Sequence, residues 1–231
     1  MISSPISTPR PRVYDPDPSG KCIYCGSTGN LAREHIMAHG LGGGLILLKA
    51  SCFRCEKVTG KIENTCLHEM FLAYRTHFAL PTYRKKSRPT ALPVALRYGT
   101  HRVRRYVPIK DHPHVLVLPR LMQPGIMVGL PPGPAIKPVR YDIFGDVNDI
   151  RDKIRRLGAP QHFIEASFDL LAFVRMLAKI AHALAVAELG LDGFEHKLPA
   201  LILGDDIRPR RRPSGRITSP TNWIVGPWSP V

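Results

Sequence analysis

The sequence predicts an α+β fold built in parts, and three observations predict it. Two Cys-x-x-Cys pairs, Cys22/Cys25 and Cys52/Cys55, bracket two short strand-like arms and lead into a helix-compatible run. Strand-like pieces follow in succession, "LPVALRY", "HRVRRYVPI" and "HVLVLPRL". Last comes a long apolar segment, "FDLLAFVRMLAKIAHALAVAELG". The expected organisation is a disordered arm over residues 1–19, a small zinc-bound domain over 20–80, an α+β domain with β-hairpins and a helix at 166–189 over 81–204, and a flexible basic tail over 205–231.

The arm, "MISSPISTPRPRVYDPDPSG", is rich in proline and serine and lacks the apolar segment of a signal peptide. The two cysteine pairs have the spacing of a four-thiolate zinc site, with Cys22, Cys25, Cys52 and Cys55 as ligands. A single redox Cys-x-x-Cys leaves the second pair unexplained, and a reducing cytosol disfavours disulfides. Gly26 follows the first knuckle and can take the positive φ of a tight turn. The second knuckle runs into helix-compatible residues, with Ser51 as the expected N-cap and the helix N-terminus favouring thiolates. A structural zinc ion contributes on the order of 10–16 kcal/mol, enough to organise a piece with a modest core. Cys66, further along the helix, is read as a small buried hydrophobe.

Between the knuckles, the first arm carries Glu34-His35, "GLGGG" forms a connector, and the second arm, "LILLKAS", returns to Cys52. On the helix, Glu56, Gly60 and Glu63 share a face at spacings of four and three. A zinc clamp that draws the first arm toward this helix would bring Glu34 or His35 near Glu56 or Glu63. Carboxylates in that arrangement suit Mg²⁺ or Mn²⁺ better than a second zinc. A neutral histidine beside such an ion can take a proton from water. The glycine run lacks the Lys-Ser/Thr of a phosphate-cradling loop and is expected to be a mobile connector.

These residues, Cys22, Cys25, Glu34, His35, Gly42, Gly43, Cys52, Cys55, Gly60 and Glu63, resemble the HNH endonucleases, the ββα-metal nucleases, in their zinc-stabilised form. The resemblance covers about residues 20–70. It implies a ββα-metal domain in which His35 activates water and Glu34 helps hold the catalytic divalent ion, with Glu56 or Glu63. The family's central asparagine, which helps hold the histidine loop, has no counterpart in "LILLK". Glu56 stands where a histidine or asparagine usually follows the last cysteine.

Beyond this domain, Gly99 in "RYGTHR" marks a hairpin turn, and "HRVRRYV" places Val103 on one face and basic residues on the other. The helix is expected to stop at Gly190. It is long enough to span a membrane, but Arg175, Lys179 and His182 form a polar stripe suited to a helix buried in protein. The run "HVLVLPRLMQPGIMVGLPPG" is broken by Pro119, Arg120 and Pro124 and is not read as a span. A cytoplasmic protein without membrane partners is expected, and the apolar helix offers a possible homodimer seam.

Charge points to the partner. Lysines and arginines number 33 against 18 acids, a net +15, as in many small basic bacterial and phage proteins. Such a balance favours polyanions, with double-stranded DNA the expected one. The candidate phosphate contacts are Arg84, Lys85, Lys86 and Arg88, then Arg102, Arg104 and Arg105, with Arg97 nearby and an arginine-rich tail from Arg208. No recognition helix is visible. The expected function is metal-dependent hydrolysis of phosphodiester bonds; the alternative is a catalytically impaired zinc module that binds nucleic acid.

Overall fold

The computed structural model describes residues 11–15, 20–83, 88–98, 100–123, 138–158 and 169–204. The chain divides into two compact units. One joins the described parts of 1–69, 78–83 and 168–212; the other joins those of 70–77 and 84–167.

In the first unit, β2 (Leu31–His35) and β3 (Leu45–Cys52) form an antiparallel pair, with Leu31 opposite Cys52 and His35 opposite Ile46. A short β1 (Arg12–Tyr14) runs parallel along the other edge of β3, giving the order β1-β3-β2. The chain passes directly from β3 into α1 (Phe53–His68). The helix follows from residues of one face, Cys55, Thr59, Ile62 and Cys66, recurring every three or four positions and all buried. Cys66 is the small buried hydrophobe that was expected.

The helix starts one residue later than the expected cap implies. Cys52 occupies the N-cap position, and Ser51 remains in β3, fully buried. Extending the strand to the second knuckle satisfies the Ser51 backbone in the sheet and places a sulfur, not a hydroxyl, at the helix start.

The long helix, α4 (Leu170–Leu189), is capped by the Asp169 carboxylate, which accepts from the Ala172 N–H at 2.9 Å. It ends at Gly190 with φ +73°, as expected. By length and composition it could cross a membrane. Here its Ala178, Ala183 and Val186 pack with Ile23, Tyr24, Ile36, Leu47 and Ala50, and with Ile202 of α5 (Pro199–Leu203). The Tyr14 hydroxyl of β1 donates to Glu188 of α4 at 3.1 Å. So the helix expected to belong with the hairpins packs with the cysteine-bearing segment. Its apolar face is complementary to a sheet and helix too small to bury a core of their own.

The second unit contains α2 (Leu72–His77), the antiparallel pair β4 (Ala91–Tyr98) and β5 (His101–Pro108), the antiparallel pair β6 (Leu116–Leu121) and β7 (Pro138–Phe144), and α3 (Val147–Arg156). β4 and β5 pair up to Tyr98 opposite His101, so a hairpin connects them; its Gly99 lies outside the described residues. Among the described residues, one core cluster here gathers Val94, Leu96 and Val107, with Leu157 against them; Leu92, Val117, Ile150 and Ile154 are also buried. Val103 is exposed on its strand. Taken together, the units make a mixed α+β protein with small sheets and one long apolar helix.

Of the arm expected to be disordered at 1–19, Arg12–Tyr14 instead form β1, where pairing with β3 satisfies their backbone; residues 1–10 and 16–19, the segment 166–168 ahead of α4, and the basic tail lie outside the described residues.

Candidate metal centre and the His35 loop

The four sulfurs of Cys22, Cys25, Cys52 and Cys55 lie within 4.8 Å of one another and can hold a metal ion. The first pair sits in a turn where Gly26, at φ +71°, donates its N–H to the Cys22 carbonyl at 2.8 Å. The second sits at the start of α1, where the Cys52 N–H donates to the Cys22 sulfur at 3.4 Å. Cys25 and Cys52 sulfurs are 3.7 Å apart; a tetrahedron with metal–sulfur bonds of about 2.3 Å has edges of about 3.8 Å. Burial pushes the thiols of Cys22 and Cys55 up. At Cys52 burial acts the same way, but the Cys55 N–H, Ser27 and the neighbouring sulfurs outweigh it and bring the thiol down to about 6. Holding all four as thiolates therefore calls for a bound cation, and a four-sulfur donor set suits an ion such as zinc.

At the other end of the hairpin, two of the nominated carboxylates meet. Glu34 of β2 and Glu63 of α1 both bind the ammonium of Lys179, at 2.8 and 2.7 Å. Lys179 reaches them from α4 and is 0 % exposed. It also donates to the carbonyl of His35, and lies 3.4 Å from that of Ile36. Burial raises the Glu34 carboxyl, with Lys179 opposing. Tyr24, from between the first two cysteines, is buried close enough to Glu34 and Glu63 for their charge to push its phenol up further, after burial itself.

The His35 side chain is half-buried. Its ring centroid is 5.6 Å from that of His39, and His39 stacks on Tyr83 at 4.8 Å. Burial, then His39, Arg33 and Lys179, lower the imidazole's pKa, so His35 is neutral near pH 7. Glu56 does not join the cluster. It is exposed on the outer side of α1, in a shallow depression lined by Phe53, Lys57, Gly60 and Lys61. A Mg²⁺ or Mn²⁺ ion held by Glu34 with Glu56 or Glu63 therefore does not fit these residues as they stand. An ammonium already occupies the place between the two carboxylates that approach each other.

The glycine run, expected to be a connector, is a packed return. Gly42 caps the short turn His39–Leu41 at φ +84°, its N–H bound to the His39 carbonyl at 2.9 Å. A Cβ on Gly43 would lie 2.1 Å from the Met37 carbonyl oxygen, so only glycine permits this approach.

Of the candidate phosphate contacts, Arg84, Lys85 and Lys86 lie outside the described residues, as does the arginine tail. Arg88 is half-buried in the second unit. Arg102 lies in β5, and Arg104 and Arg105 are exposed there, next to Tyr106, which is also exposed.

Sequence reasoning missed the roles of the polar stripe on α4. Each of its members donates to a backbone carbonyl of a different segment. Arg175 binds Ile202 at 3.0 Å, Lys179 binds His35, and His182 binds Ile23 in the first knuckle at 2.7 Å. The signal was present, three basic residues in a helix otherwise apolar apart from Glu188 near its end, but their partners are far away in sequence. The second unit also holds an unforeseen cluster. His77 Nε2 lies 3.0 Å from His112 Nδ1, and His114 lies 3.3 Å from both Asp149 and Lys153.

Among family models, curated proteins and solved structures, none matches this chain.

Proposed function

We propose that the chain is a zinc-braced endonuclease of the HNH type that hydrolyses phosphodiester bonds in nucleic acid, DNA foremost, in the cytoplasm. The observation that supports this most is the placement of half-buried His35 at the end of β2, in a hairpin whose second strand runs directly into α1. The hairpin-then-helix order, with four thiolates at its base, agrees with the resemblance in sequence.

In this reading, neutral His35 takes a proton from water through an imidazole nitrogen. The resulting hydroxide attacks phosphorus, and the departing sugar oxygen takes a proton from solvent. Exposed Arg104 and Arg105 contribute phosphate contacts without reading sequence. About six such contacts across the protein would give a log–log salt slope near −5 on duplex DNA.

The second reading, a zinc module that binds nucleic acid without cutting it, is favoured by one observation: Lys179 fills the position between the carboxylates. Incubating the full chain with supercoiled plasmid in Mg²⁺ or Mn²⁺, beside His35→Ala, decides between them. Nicking by the wild type alone supports the endonuclease. Equal, salt-sensitive binding with no nicking by either protein supports the module.

A further inference from the structure

We propose that Lys179 is the positioning residue for His35, supplying from α4 the hold on the histidine loop for which the strand "LILLK" offers no asparagine. The inference rests on the endonuclease reading for its catalytic consequence.

An ammonium has three N–H donors. Those of Lys179 are taken up by Glu34, by Glu63 and by the His35 carbonyl, with the Ile36 carbonyl at 3.4 Å as a further neighbour. The charge is therefore matched, and its remaining donor is spent on the backbone of the residue proposed as base. Lys179 is fully buried, so it touches no substrate and acts only through His35. A peptide carbonyl held in place fixes the Cα from which the imidazole projects. The alternative is a lysine that merely neutralises one buried acid, Glu34, and one half-buried acid, Glu63. That role needs no bond to the His35 or Ile36 carbonyls, and both are engaged.

The rest of the stripe provides a control. Arg175 lies on the same helix one turn earlier and binds the carbonyl of Ile202 in α5. It is half-buried where Lys179 is fully buried, and it shares the helix and the bond to a backbone carbonyl, but that carbonyl belongs to α5 and not to the histidine loop.

The test compares Lys179→Met, Lys179→Gln and Arg175→Met with the wild-type chain. The readouts are plasmid nicking, zinc content and amide hydrogen exchange over residues 35–39. Displacing a catalytic group by about 1 Å can cost about 100-fold. Lys179→Met is expected to lower kcat by about that factor, with KM within about threefold, while Arg175→Met leaves kcat within about threefold. Both variants are expected to retain one zinc per chain. Exchange at Ile36 and Met37 is expected to speed up in the Lys179 variants alone. Should Lys179→Met fail to fold, Lys179→Gln, neutral yet still able to donate one hydrogen bond, carries the comparison.

A folded Lys179 variant with wild-type kcat overturns the proposal. So does unchanged exchange over residues 35–39. If the wild type holds zinc but cuts nothing with any divalent ion, the endonuclease reading fails by itself. The hold of Lys179 on the loop is then decided by the exchange measurement.

Discussion

The two ends of the β2–β3 hairpin are fastened by different chemistry, and the difference separates what holds the fold from what aims the site. At one end, beside Leu31 and Cys52, four sulfurs gather where β3 enters α1. At the other, beside Glu34 and His35, one ammonium gathers two carboxylates and a backbone carbonyl. The ends are about 13 Å apart along the strand, at about 3.3 Å per residue. The sulfur end draws its ligands from the hairpin and the helix start, so it closes locally. The ammonium end is closed by α4, from more than a hundred positions away in sequence. A metal–thiolate clamp contributes folding energy directly. A buried ion pair offsets its own desolvation and chiefly dictates where groups sit.

The largest effect expected comes from breaking the sulfur end. Removing zinc with a chelator, or substituting Cys55→Ser, should unfold the first unit, with a loss of order 10 kcal/mol against a typical domain stability of 5–15. Loss of far-UV helicity in step with zinc release, measured by circular dichroism and elemental analysis, is the outcome expected. Retention of the fold without metal would make the ammonium end the dominant clamp.

The next effect breaks the other end. Lys179→Met leaves Glu34 buried, with half-buried Glu63 beside it and no counter-charge for either, and removing one partner of a buried pair costs about 3–5 kcal/mol. Denaturant unfolding should register that loss with zinc affinity unchanged. If zinc affinity falls in parallel, the two ends are not independent and the comparison collapses into one cooperative site.

A smaller effect tests the loop that joins the ends. Gly43→Ala presses a methyl group against the Met37 carbonyl, 2.1 Å away. Relief requires backbone movement, and overpacking of this kind costs about 1–3 kcal/mol. The strain should shift Met37 and His39 in amide spectra and leave the cysteine turns undisturbed.

The contrast also explains what was legible in the sequence. The sulfur end was readable because metal ligation demands particular residue types at short, fixed spacings: Cys22, Cys25, Cys52 and Cys55 could hardly be read otherwise. The strands on either side of Glu34, and the stop of α4 at Gly190, follow from local pattern and a glycine's positive φ. The ammonium end was half legible. The approach of Glu34 to Glu63 follows once zinc draws the hairpin onto α1. Lys179 could not be placed, because an amphipathic pattern says which face of α4 is buried but not which sheet buries it. For the same reason the helix was grouped with the hairpins of 81–204 rather than with the cysteines. Glu56 misled because helical spacing puts it on a line with Gly60 and Glu63, while α1 turns that first-turn position to solvent. Packing, not periodicity, decides how much of a stripe is covered.

The smallest effect expected is at Glu34, and it sharpens the comparison most. Burial raises its carboxyl above the ordinary value of 4.5, and Lys179 and Ser51 oppose that rise without reversing it, while Glu63 adds to it. A group whose folded pKa is raised binds its proton more tightly in the folded state. Its contribution is fully present below the unfolded value and is lost as pH rises through the folded one. Glu34 carried ionised at pH 7 is thus a cost that Lys179 limits. In Glu34→Gln that cost disappears, and Lys179 keeps Glu63 as its counter-ion at 2.7 Å. The two changes oppose each other, so stability at pH 7 should move by only about 1 kcal/mol or less. The fall in stability that Glu34 imposes as pH rises from 4 toward 7 should flatten in the variant. Thermal unfolding of both proteins across that range, with zinc saturated, measures it. A loss near that of Lys179→Met would show instead that both carboxylates are needed to balance the ammonium, making the second end a true three-way clamp.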